Sequence, residues 1–409
     1  MAHVNFDHAA ATPVLPEAYQ AMVPYLTEHF GNPQSLHSLG RPAQQALELA
    51  REQVAWFINC APQDVIFTAS ASESNNLAVK GLALASRGRG RHIVVSAIEH
   101  VSVLEPARSL KREGFEITVV GVDRNGVVNP EELARVLRPD TVLVSIQHAS
   151  NEIGTIQPLE ELARVCHEKG IPIHSDGTAA IGRIGVDVAA LGVDAYSFSA
   201  QSCYGPKGAA VLYLRPKTRI VPLIDGGIQE RGRRAGTENV AAIVGMGRAA
   251  EITREHLSEW AEHMSLLAKR LTEELPRRIP RLVFTGHPTQ RLPGHVSLCV
   301  EFVEGEALLL MLDDAGIAAA SGSACTARTL KASHVLLAIG LDHAVAQSSL
   351  VLTLGKDNTM AEVELLLDKL PPIVERLRAI SPLYARFLRG EDPYAVKTGQ
   401  TGHNEENEG

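Results

Sequence analysis

The run Asp194-Ala-Tyr-Ser-Phe-Ser-Ala-Gln-Ser-Cys-Tyr-Gly-Pro-Lys-Gly208 joins a short apolar segment to a small, polar turn. Residues 195–198 read as a buried strand, and residues 209–214, just beyond the turn, as another. Toward the N-terminus, residues 65–68, 93–96, 117–120, 142–146 and 171–174 are further apolar runs of strand length. Helical patterns lie between several of them, such as residues 158–169 closed by Gly170. Alternation of this kind implies an α/β fold: a mostly parallel sheet with helices on both faces.

Toward the C-terminus the texture changes. A helical region from about residue 239 through 275 is expected to end at Pro276 and Pro280. Residues 295–302 and 349–354 read as strands, and 304–314 and 360–379 as helices, the last broken or kinked at Pro371-Pro372. The expected organisation is a large domain over residues 15–262 and a smaller α+β domain from 1–14 plus 263–389. A polar tail, 390–409, is too poor in apolar residues to pack and is expected to be disordered.

The 409 residues are 45% apolar and 21% charged, an ordinary globular balance. A net charge of −8 argues against nonspecific nucleic-acid binding, and no apolar run is long enough to span a membrane. Met1 to Thr12 has no basic region followed by an apolar stretch, so no secretory signal is expected. Five cysteines, none in a CxxC pair, fit a reducing cytoplasm better than a disulfide or zinc framework.

Several segments carry candidate chemistry. Thr68-Ala-Ser-Ala-Ser-Glu-Ser-Asn-Asn76 lies between a strand and a helix, where small hydroxyl residues leave backbone N–H groups to face an anion; an ordinary serine N-cap is the alternative. His100 follows a strand, at the edge where open α/β sheets bind ligands. Asn151, in His148-Ala-Ser-Asn-Glu-Ile-Gly154, also follows a strand, or serves a turn. Asp176, in His174-Ser-Asp-Gly-Thr-Ala-Ala180, is a candidate buried carboxylate. Gly226-Gly-Ile-Gln-Glu-Arg-Gly-Arg-Arg-Ala-Gly-Thr-Glu-Asn-Val240 is a basic, glycine-rich loop able to take an anion. Cys325 stands among small residues in Ala320-Ser-Gly-Ser-Ala-Cys-Thr-Ala327, a setting that suits a mobile thiol, although a solitary cysteine is more often an inert small hydrophobe.

In this order and spacing, from residue 4 to about Arg389, these segments resemble the cysteine desulfurases, class V aminotransferases among the fold-type I enzymes of pyridoxal phosphate (PLP). The resemblance implies the fold-type I fold and a role for each matching residue. Ser72 takes the threonine position of the phosphate cup, and Ser199 is a further cofactor contact. His100 stacks on the pyridine ring and moves protons; Asn151 lies near the phenolic oxygen; Asp176 pairs with the pyridinium nitrogen. Thr237 reaches the other subunit's phosphate across a twofold interface, which implies a homodimer. Cys325 attacks the substrate sulfur and becomes a persulfide.

Four positions depart from that pattern. The family motif Ser-Phe-Ser-Gly-His-Lys ends in the lysine that forms a Schiff base with PLP; here its last two residues are Gln201-Ser202. A hydroxyl forms no imine, so no covalent PLP is expected. Lys207 does not replace the lost amine, because active members carry the Gly-Pro-Lys-Gly lysine as well. The glutamine that bonds the ring hydroxyl is Ala179, and the arginine that clamps the substrate carboxylate is Val351. The expectation is a desulfurase-like protein that has lost PLP-dependent desulfuration. It would act in sulfur transfer to an acceptor, or as a thiolate ligand to an iron–sulfur cluster held with a scaffold partner, through Cys325. The alternatives are a non-catalytic dimer partner of an active desulfurase, an enzyme using noncovalent PLP or pyridoxamine phosphate, and a desulfurase active by another arrangement.

Overall fold

The computed structural model describes residues 4–322 and 332–394. Strands β1 (Val4–Asn5) and β11 (Ile317–Ala318) form a two-residue parallel pair. The central sheet has seven strands: β2 (Val65–Thr68), β3 (His92–Ser96), β4 (Glu116–Val120), β5 (Thr141–Ser145), β6 (Ile173–Asp176), β7 (Ala195–Ser199) and β8 (Ala210–Leu214). Their order is β2-β8-β7-β6-β5-β3-β4. Only β8 runs against its two neighbours, so the other six strands point the same way.

The pleat sends alternate side chains to opposite faces. Ile93 and Val95 join one buried cluster, with Leu77, Leu82 and Val103 from the Ala71–Ala85 and Val101–Ser109 helices. Val94 between them joins another, with Leu47 and Val54 of the Gly40–Phe57 helix and Met246 of the Val240–Arg278 helix. Helices therefore cover both faces, as the continuous apolar runs require.

A second sheet, order β12-β10-β9, is built from β9 (Leu282–Phe284), β10 (His295–Val300) and β12 (Ser349–Thr353), all antiparallel. Its core holds Leu298, Leu350 and Leu352 against Leu267 and Leu271 of the Val240–Arg278 helix and Leu366 and Leu370 of the Met360–Ala379 helix.

Two proline readings are corrected. The Val240–Arg278 helix runs past Pro276 and ends at Ile279, whose backbone is extended. Proline removes one N–H donor in that last stretch, which does not stop the next turn from closing. The Met360–Ala379 helix is not broken at Pro371-Pro372: it continues through the pair, and its apolar stripe packs into the second core on both sides. Strand β10 stops at Val300, short of residue 302, where Phe302 takes a positive φ of 69°.

Candidate functional site

A cavity of about 400 Å³ opens where five of the six co-directional strands end. Its sheet side is made by residues at or just beyond the ends of those strands: Ser70, Ser72 and Asn75 after β2, Glu99 and His100 after β3, Gln147, Asn151 and Glu152 after β5, Asp176, Thr178 and Ala179 at β6, and Ser199 and Gln201 at β7. The far wall comes from Asp7 to Ala10, Ala320 to Gly322, Ser333, His334 and Val351. Carboxyl ends of strands are where open α/β sheets bind ligands.

One hydrogen-bond chain crosses this cavity. Asn75 uses both amide hydrogens: Nδ2 donates to Asp176 Oδ2 at 2.7 Å and to Ser102 Oγ at 2.8 Å. The backbone N–H of Ser102 donates to His100 Nδ1 at 3.1 Å, which fixes that nitrogen as an acceptor. The Ser102 hydroxyl, 2.7 Å from the same nitrogen, therefore donates to it. The other Asp176 oxygen accepts from Thr178 N–H at 2.9 Å and Thr178 Oγ1 at 2.6 Å. Asp176 is thus a buried acceptor, joined through Asn75 and Ser102 to His100.

At one end Ser70 caps the 15-residue Ala71–Ala85 helix, its Oγ accepting from Glu73 N–H at 3.1 Å, and Ser72 lies in the first turn. The serine N-cap is present, and Ser70 and Ser72 both line the cavity. Asn151, Ala179, Ser199 and Gln201 also line it.

Val351 also lines the cavity. Leu350 and Leu352 turn into the second core, so the pleat aims Val351 at the cavity. Its backbone exchanges hydrogen bonds with Ala320, at 2.8 and 3.1 Å. Two carboxyl groups missed by the sequence reading share the cavity. Burial pushes Glu99 up to about 8, although Ser96 Oγ and Gln147 N–H both bond its Oε1. Burial also pushes Glu152 up to about 8, while the Ser333 hydroxyl bonds its Oε2. Both lie within motifs already singled out, Glu99-His100 and Asn151-Glu152, but a sequence does not display burial. Asn75 is a third omission, and nothing in the sequence pointed to His334.

Three other residues of interest lie off the described walls. Ser202 sits in the Ala200–Ser202 turn behind Ser199, and Lys207 is exposed. Thr237 is exposed on its loop, outside the cavity. That loop is tied down by Glu230, which pairs with Arg51 at 2.7 Å and accepts from Phe67 N–H at 2.9 Å. Cys325 lies outside the described residues. The other four cysteines are buried or half-buried, and burial pushes each thiol up to about 12, so none is a ready nucleophile.

The model of the aminotransferase class-V family matches residues 4–366. The chain belongs to that family, among its cysteine desulfurase-like members. Cysteine desulfurase IscS 1 of Archaeoglobus fulgidus is 46% identical over 381 residues, covering 93% of this chain and 99% of that protein. Cysteine desulfurase IscS of Methanosarcina thermophila is 45% identical over 386 residues, covering 94% and 95%. Among solved structures, a NifS-like protein superimposes with a TM-score of 0.86 at 38% identity, over 92% of this chain and all of that one. SspA in complex with cysteine superimposes with a TM-score of 0.77 at 32% identity, over 87% of this chain and all of that one. The fold is that of the fold-type I PLP enzymes. No described helix is long and apolar enough to cross a membrane.

The family is PLP-dependent, and the residues present fit its cofactor in part. A buried carboxylate, a wall histidine and a helix N-terminus with hydroxyls suit a ring nitrogen, a ring face and a phosphate. No described lining residue is a lysine, so none offers an amine for attachment.

Proposed function

We propose that this chain is a sulfur relay built on the desulfurase fold, with Cys325 as the carrier, and that it has lost PLP-dependent release of sulfur from cysteine. The observation that carries the reading is Ser202, a hydroxyl where that chemistry needs an amine, together with a cavity whose described walls hold no lysine. Val351 adds to it, since a substrate carboxylate would meet an alkyl group.

In the relay, the Cys325 thiolate attacks the outer sulfur of a donor persulfide. The S–S bond of the donor breaks, its thiolate leaves, and Cys325 becomes the persulfide. An acceptor thiolate then takes the same sulfur and Cys325 leaves as thiolate, so no net oxidation occurs. Burial raises the pKa of each of the four described thiols, and the segment around Cys325 is the one that resembles the family's sulfur loop, which supports Cys325 as the carrier. The acceptor would be a sulfur-accepting or iron–sulfur scaffold protein, in the cytoplasm. A homodimer belongs to the same reading: Phe30, Leu36 and Ile228 are 69%, 94% and 81% exposed, apolar surface that a second copy would cover. Transfer of labelled sulfur from a small persulfide to an acceptor thiol tests the relay. Cys325→Ala should abolish it, and unchanged transfer rejects the role.

The Asp176–Asn75–Ser102–His100 chain favours a second reading, an enzyme holding PLP or pyridoxamine phosphate noncovalently. Asp176 would then face the ring nitrogen, His100 the ring, Ser72 and Ser199 the phosphate, and Asn151 the phenolic oxygen. The bound group would supply an electron sink, while Asp176 keeps the ring nitrogen protonated. Saturable PLP binding that leaves no adduct after borohydride reduction supports this; no binding rejects it.

A further inference from the structure

We propose that this cavity takes a small primary amine without an α-carboxylate, in place of an amino acid. Among the described lining residues four carry carboxyl groups, Asp7, Glu99, Glu152 and Asp176, and none is a lysine or arginine. His334 adds no fixed charge: its Nε2 meets the Glu99 carbonyl at 2.9 Å and burial lowers its pKa.

Two buried oxygens on this wall have no partner. Glu99 is fully buried, and its Oε2 is unsatisfied while Oε1 takes bonds from Ser96 and Gln147. Asn75 is 1% exposed, and its Oδ1 is unsatisfied while Nδ2 holds Asp176 and Ser102. Orphaned buried polar atoms call for a partner: Asn75 Oδ1 only accepts and calls for a donor, while Glu99, held protonated by burial, has a proton to give to a base. A primary amine takes the Glu99 proton, and the ammonium so formed pairs with the Glu99 carboxylate and has further hydrogens for Asn75 Oδ1. A carboxylate on the same ligand would meet the Val351 alkyl group, with no lysine or arginine among the described lining residues to pair it. The ligand class is therefore an alkylamine or aminothiol of a few carbons.

This goes beyond the relay reading and shares with it only the loss of cysteine as a ligand. Calorimetric titration of the full chain with cysteamine, ethylamine and L-cysteine tests it. Cysteamine and ethylamine should bind at least about tenfold tighter than L-cysteine. Glu99→Gln, which has no proton to give up and cannot become a carboxylate, should weaken both amines. Val351→Arg should reverse the preference toward L-cysteine. L-cysteine binding as tightly as cysteamine, or no amine binding up to millimolar concentration, overturns the inference. Cys325→Ala separates the two readings: it stops the relay and leaves amine binding unchanged. Amine binding that fails while the relay persists removes this inference alone.

Discussion

Ser202 Oγ stands 3.5 Å from Ser199 Oγ, too far for a good hydroxyl hydrogen bond. Ser199 lines the cavity and Ser202 lies just behind it. A lysine stem at 202 is long enough to bring an amine past Ser199 into the cavity. Ser202→Lys is therefore expected to yield a pyridoxyl adduct at that position after incubation with PLP and borohydride reduction, read by peptide mass spectrometry. Alanine production from cysteine should stay near background until Val351→Arg is added, since a missing carboxylate partner costs about 2–5 kcal/mol. Robust turnover by the single variant contradicts this account of the pocket.

Glu99 and Glu152 give stability a pH slope of definite sign. Each ionises near 4.5 in the unfolded chain, and burial holds each protonated to about 8 in the fold. Between those values the native state keeps protons that the unfolded chain has released, so stability falls as pH rises. The buried His8, His148, His174 and His295 act oppositely, but below about 6.5, where the unfolded chain would protonate them. From pH 6.5 to 8 the carboxyls dominate, at up to about 2 kcal/mol each. Urea midpoints across that range should fall in the native chain and fall about half as far in Glu99→Gln. An unchanged slope contradicts the assignment.

Gly177 and Tyr196 share one space. A Cβ at 177 would sit 1.9 Å from Tyr196 Cζ and 2.1 Å from its hydroxyl, which is bonded to His148 Nδ1 at 2.8 Å. Gly177→Ala should cost about 3 kcal/mol by overpacking beside Asp176. Tyr196→Leu removes the clash and also the His148 bond. The double variant should therefore lose less than the sum of the two singles, a coupling that a denaturation cycle measures. Additive losses contradict the shared space.

Arg51 and Glu230 are 4% and 1% exposed at their side chains and joined by two hydrogen bonds. Arg51→Met leaves Glu230 buried without its cation and should cost about 3–5 kcal/mol. Because Glu230 anchors the loop carrying Thr237, limited proteolysis should cut near 228–236 in the variant before global unfolding. A cutting pattern like that of the native chain contradicts the anchoring role.

The seven central strands could be read in the sequence because each is a run of four or five residues, largely apolar, and helical patterns separate most of them. The two-residue β1–β11 pair could not, since a contact so short and so distant has no periodicity. The importance of Ser202 and Val351 was legible only against the family pattern; alone, serine in a turn and valine in a strand are unremarked. Glu99, Glu152 and Asn75 stood in quoted motifs, yet their burial comes from elements far apart in the chain. The reciprocity of Gly177 and Tyr196 arises where neighbouring β6 and β7 meet, a relationship of space with no trace in order.

The most direct test is alanine release from L-cysteine by the unaltered chain supplied with PLP. No release above a protein-free control is the predicted result. Sustained, stoichiometry-exceeding alanine production would contradict the claim that a hydroxyl at 202 closes the ordinary route.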